Sequence, residues 1–149
     1  MDKLIYRFNN QGSQGGFNSK DILGGKGANL AQMAKLGLPV PPGFTISTKV
    51  CEDFYKNNKK IPKKIFQQVK KEIKIIEKVS KKKFGDLSNP LLLSVRSGSK
   101  VSMPGMMDTI LNLGLNDKTV IALKNKTSNG RFAKDSYRRL IQMYSNVVL

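Results

Sequence analysis

Three short stretches of the chain combine residue types suited to holding phosphate. In the first, Gly24-Gly25-Lys26-Gly27 runs into Ala28-Asn29-Leu30. Glycines let a backbone approach a ligand closely and reach positive φ. A helix start adds N–H groups and a partial positive charge, and Lys26 adds a full one. The pattern is not a Walker A loop: Gly27 stands where Ser or Thr should follow the Lys, and Lys20 where the first Gly should be. Nor is it the dinucleotide fingerprint. An ordinary glycine turn fits these four residues equally well. The second stretch, Ser94-Val95-Arg96-Ser97-Gly98, sets an Arg at the end of an apolar run. Ligands of α/β proteins bind at strand ends, and Arg grips phosphate bidentately. The competing reading is a surface Arg in a salt bridge, which contributes little energy. The third is Ser102-Met103-Pro104-Gly105-Met106-Met107-Asp108-Thr109. Such a loop could close over a nucleotide, with N–H groups and Thr109 on phosphate and Met on an apolar face. A tight turn with Met filling a core gap fits it too. Asp21, Asp108 and Asp117 are scattered, without metal-ligand spacing. Any Mg²⁺ needed for phosphoryl transfer would therefore take its ligands from outside this chain.

The elements that would position these residues follow from patterning. Leu4–Phe8 reads as a strand with Leu4, Tyr6 and Phe8 on one face. Asn9 to Ser19 is rich in Asn, Gln, Gly and Ser and reads as loop. Leu30, Met33 and Ala34 recur at helical spacing after the glycines, and Gly37 stops that helix. Pro39 to Gly43 excludes helix interior, and Phe44-Thr45-Ile46 reads as strand. Ser47 or Thr48 would cap a helix carrying Val50, Cys51, Phe54 and Tyr55. From Lys63 to about Lys82 an apolar stripe of Ile65, Phe66, Val69, Ile73, Ile76 and Val79 faces away from most of the lysines. Leu91–Val95 reads as a buried strand, and Thr109–Leu113 as another. Asn116 or Asp117 would cap a helix ending near Lys126. A last helix from Phe132 turns Phe132, Ser136, Leu140, Met143 or Tyr144, and Val147 to one side. It reaches Leu149 without a C-cap, as a chain continuing beyond residue 149 would.

Composition narrows the function classes. The chain has 149 residues with a net charge of +17. Of its 27 basic residues only Arg7, Arg96, Arg131, Arg138 and Arg139 are Arg, so the charge is mostly lysine. Lysines act as point charges rather than planar forks, and no aromatics or Arg interleave with them. A solvated lysine surface is therefore the better reading than a nucleic-acid footprint. His is absent, which excludes a His-bearing triad, His metal ligands and a phosphohistidine in this chain. Cys51 is the single cysteine, so no intrachain disulfide forms and a reducing, cytoplasmic setting fits. No apolar run is long enough to span a bilayer.

Taken together, these motifs carry a resemblance that none carries alone. GGKGANL at 24–30, VPPGFTI at 40–46, SVRSG at 94–98, SMPGMMDTILNLG at 102–114 and the Arg131-to-Tyr144 stretch occur in that order. In this the chain resembles the start of pyruvate, phosphate dikinase. The Gly-Gly-Lys-Gly, Pro-Pro-Gly-Phe and Val-Arg-Ser elements are similar to a wider group that includes phosphoenolpyruvate synthase, whereas the Met-rich loop resembles the dikinase branch. Lys100 departs from the small residue expected at its place. The resemblance implies a fold of class α/β (α+β): residues 1–113 as the first lobe of an ATP-grasp domain and 114–149 as the start of a helical subdomain. It implies that ATP phosphates are contacted by Gly24, Gly25, Lys26, Arg96, Met103, Gly105, Met107 and Thr109, with Arg96 acting in catalysis. The implied partners are ATP, phosphate and the rest of a homo-oligomeric dikinase: the second grasp lobe with its Mg²⁺ ligands, a phosphohistidine domain and a pyruvate-binding barrel. No membrane and no specific nucleic acid are expected. The implied reaction converts ATP, phosphate and pyruvate to AMP, pyrophosphate and phosphoenolpyruvate, and these residues alone would be inactive. A phosphoenolpyruvate synthase-like part, a basic nucleic-acid-binding module and a non-catalytic paralogue are the alternatives.

Overall fold

The computed structural model describes residues 3–98 and 109–149. These form two compact units, one made by residues up to Val79 and one by Ser80–Ser97 with the residues from 109 onward. Both mix helices with a small sheet, as the α/β (α+β) expectation requires. The boundary expected near Gly114 falls inside the second unit.

The first unit is organised by β1 (Ile5–Asn9), the centre of a three-stranded antiparallel sheet. On one side it pairs with β2 (Gly12–Ser13), on the other with β3 (Gly43–Ile46) in the register Ile5 to Ile46 and Phe8 to Gly43. The segment expected as loop thus holds β2 and a 3-10 turn at Phe17–Ser19, and α1 (Lys20–Lys35) follows it directly. Polar composition concealed these because β2 is held by ladder bonds to β1, not by apolar side chains. Tyr6 packs against Leu23, Ala28 and Ala31 of α1. Alanines on the buried face of α1 keep the helix close to the sheet, and Ser13 Oγ donates to Ala31 O at 2.8 Å. The helix α2 (Thr48–Lys56) buries only Val50. Ser47 stands at its N-cap without a side-chain capping bond, and its Oγ is buried without a hydrogen-bond partner.

In α3 (Lys63–Ser80) the inward face is turned relative to the expected stripe. Ile65 and Ile76 are buried, whereas Phe66 and Val79 are each 53% exposed. Arg7 of β1 forks onto Glu72 of this helix: its Nη2 donates to Oε1 at 3.0 Å, and its Nε donates to Oε2. A hydrogen bond 65 residues away in sequence leaves no local signature.

The second unit is built on a two-stranded antiparallel sheet of β4 (Leu93–Arg96) and β5 (Thr109–Leu113). Leu91 is buried, but Ser94, Val95 and Arg96 are exposed, which corrects the expectation of a buried strand. The helix Gly130–Val148 packs on β5. The register runs from Leu93–Leu113 to Val95–Ile110 across a bulge. Two residues of β5, Leu111 and Asn112, thereby oppose Ser94 alone. Asn112 takes the left-handed conformation (φ 60°) that a bulge favours, and its Nδ2 reaches Ser136 O at 3.3 Å.

Helix α4 (Thr119–Thr127) starts three residues after Asn116, whose Oδ1 accepts from the N–H groups of Lys118 and Thr119 at 2.9 Å each. Thr119, fully buried, closes the turn by donating to Gly114 O at 2.9 Å. In α5 (Gly130–Val148), Asn129 caps by accepting from Phe132 N at 2.9 Å. Ala133, Ser136 and Leu140 face inward, whereas Phe132, Tyr144 and Val147 are exposed.

Candidate functional site

The glycine cluster is not a loop before a helix. It lies inside α1, where the backbone leaves helical geometry at one residue, Gly24 (φ 69°, ψ 169°). That combination is open essentially to glycine alone. Helical geometry resumes at Gly25, three residues before the expected start, so Lys26 sits in the first turn of the resumed segment. N–H groups in such a turn lack partners in their own ladder. In an unbroken helix the Gly25 N–H would reach the carbonyl of Asp21, and that carbonyl accepts from Thr48 Oγ at 2.6 Å. Thr48 therefore supports the break from α2, a role its sequence neighbourhood did not reveal.

Gly27 explains why the resumed helix can lie against β3. A Cβ there would come within 2.8 Å of Thr45 Cγ2 and 3.2 Å of Leu23 Cβ. The helix start is thus fixed from two sides, by Thr48 before it and Thr45 beneath it. Lys26 is half-buried, and no carboxylate pairs with it among the described residues.

In the second unit, Arg96 ends β4 and pairs directly with Thr109 at the start of β5. Residues directly opposite in an antiparallel pair share a face, so the guanidinium and the hydroxyl-bearing side chain emerge together. Arg96 is exposed and likewise makes no ion pair among the described residues. The structure therefore brings Gly24, Gly25 and Lys26 together in one unit, and Arg96 and Thr109 together in the other. Met103, Gly105 and Met107 lie outside the described residues. Among those described, no group of three or more His, Cys, Asp or Glu could hold a metal.

Comparison with known proteins bears on what these groups are for. Residues 20–83, which contain the broken helix, match the family described as pyruvate phosphate dikinase, AMP/ATP-binding domain. Over 149 residues the chain is 55% identical to pyruvate, phosphate dikinase of Rickettsia conorii and 52% identical to that of Clostridium symbiosum, in each case along its whole length. Along its whole length the chain is similar to one part of the pyruvate, phosphate dikinases. The dikinase of Entamoeba histolytica is 53% identical over 145 residues. The chain spans about 17% of the length of the Rickettsia and Clostridium dikinases it matches. No described helix is long and apolar enough to cross a membrane.

Proposed function

We propose that this chain supplies the phosphate-holding part of the nucleotide site of a pyruvate, phosphate dikinase, as the first lobe of an ATP-grasp domain. Residues 1–113 carry the gripping groups, and 114–149 lead into a helical subdomain. Lys26 and the N–H groups of the resumed helix neutralise phosphate. Arg96, with Thr109 beside it, grips phosphate and stabilises charge as it shifts between phosphates. Met103, Gly105 and Met107 cover the nucleotide. The observation that carries this reading is the break at Gly24, because it turns the interior of a helix into a helix start that bears a lysine.

In the dikinase reaction ATP, phosphate and pyruvate become AMP, pyrophosphate and phosphoenolpyruvate. The phosphoryl group would be carried by a histidine, and this chain contains none. Its role is accordingly to bind and orient ATP. Mg²⁺ bound to ATP would supply further charge neutralisation. The described residues offer it no carboxylate cluster.

The test is ³¹P NMR of ATP titrated with the chain. The β- and γ-phosphate resonances should broaden and shift with the wild type and much less with Lys26→Ala or Arg96→Ala. Equal perturbation by all three proteins would remove the assigned roles.

A further inference from the structure

A second basic site lies in the first unit, away from the broken helix. Between the outer face of β1 and the helix α3 is a cleft of about 610 Å³. Its walls carry Lys3 and Arg7 from the strand and Lys64, Lys71 and Lys74 from the helix. Its floor is apolar, made by Leu4, Ile5 and Ile75. One carboxylate lines it, Glu72, which is committed to the guanidinium of Arg7. Lys71 and Lys74 are three residues apart on one helix, close enough to repel each other. Neither has a carboxylate partner among the described residues. A cleft in which cations outnumber carboxylates concentrates counter-ions, and this volume is that of small-molecule sites.

We propose that this cleft binds a small anion bearing two or more linked phosphate groups, independently of Lys26 and Arg96. The ligand class follows from the donors. The one planar guanidinium is already occupied by Glu72, so the two-point recognition of a single carboxylate is spent. What remains is the pair of ammonium point charges of Lys71 and Lys74, which suits a compact anion with charge spread over several oxygens. Binding would also relieve the repulsion between Lys71 and Lys74. Two sources share this chemistry, an inorganic condensed phosphate and a nucleotide, and the apolar floor would favour the second.

The experiment is calorimetric titration of the 149-residue chain with inorganic tripolyphosphate at low salt. The Lys71→Glu/Lys74→Glu variant should lose affinity roughly tenfold or more, and Lys71→Gln/Lys74→Gln should lose less. Lys124→Glu/Lys134→Glu, which changes net charge equally on exposed positions of the second unit, should bind as the wild type does. In Lys26→Ala/Arg96→Ala any tripolyphosphate held by the proposed nucleotide site should be lost while binding that depends on Lys71 and Lys74 remains, so the cleft and the proposed nucleotide site fail separately. Titrating that last variant with ATP identifies the source: tighter binding than tripolyphosphate assigns a nucleotide, and equal or weaker binding an inorganic chain. The proposal is overturned if the wild type does not bind tripolyphosphate. It is equally overturned if the Lys71/Lys74 reversals bind it unchanged, or if the Lys124/Lys134 control loses as much.

Discussion

Replacing Gly24 with Ala tests whether the break in α1 is built into the backbone. With φ at 69° and ψ at 169°, residue 24 occupies a region where a Cβ collides with its own peptide groups, at a cost of about 1–3 kcal/mol. The variant chain can pay in stability, or it can straighten the helix and lose the resumed start at Gly25. In urea denaturation followed by circular dichroism, a typical slope of about 1–3 kcal/mol per molar turns the first outcome into a midpoint lowered by roughly 1 M. Gly25→Ala is the control. Its backbone is helical, so alanine there should be neutral or should stabilise by about 0.5–1 kcal/mol. If Gly24→Ala unfolds at the wild-type midpoint, positive φ is not required and the account of the helix start is wrong. If the two variants fall equally, lack of space rather than backbone geometry governs the cluster.

Other outcomes follow from single contacts. Gly27→Ala should destabilise by about 1–3 kcal/mol through overpacking, because its Cβ would meet Thr45 Cγ2 at 2.8 Å; an unchanged thermal midpoint would contradict the close approach. Ser47→Ala should leave stability unchanged or raise it by about 1 kcal/mol, since it removes a buried hydroxyl that lacks a partner; a lowered midpoint would reveal a hydrogen bond to that hydroxyl. The Asp86 carboxyl accepts from Asn89 N–H and from the hydroxyl and N–H of Ser88, which hold its pKa at about 2 against an ordinary 3.8. Because the folded value is the lower one, its stabilising contribution is complete above about 3.8 and is lost as pH falls through about 2. In Ser88→Ala the carboxyl midpoint, read by NMR titration, should move upward.

What the sequence made legible was what local pattern controls. The strand at Phe44–Ile46, the amphipathic helix after Lys63 and the turn chemistry of Asn116 each depend on neighbours in the chain, and the structure has them. Long-range partners decided the rest. The rotation of α3 leaves Phe66 outside and Ile65 inside, and six apolar residues on a helix cannot by themselves say which edge of their stripe turns inward. The exposure of Ser94 to Arg96 depends on what covers β4, which its own apolar run cannot encode. At the candidate site, the glycine cluster and Lys26 were visible as a helix start, but its position at Gly25 required the φ of Gly24 and the hydroxyl of Thr48. The pairing of Arg96 with Thr109 came from a bulge at Asn112 that shifts the register by one.

We propose that the lysine of the broken helix and the arginine ending β4 both act on the phosphates of ATP. Calorimetric titration of ATP into the wild type, Lys26→Ala, Arg96→Ala and the double variant tests it directly. Each single change should weaken binding by about 1.5–3 kcal/mol, the worth of a charged hydrogen bond, and the double change should cost measurably less or more than their sum, as groups sharing one ligand do. Wild-type affinity in both single variants, or strictly additive losses, would contradict it.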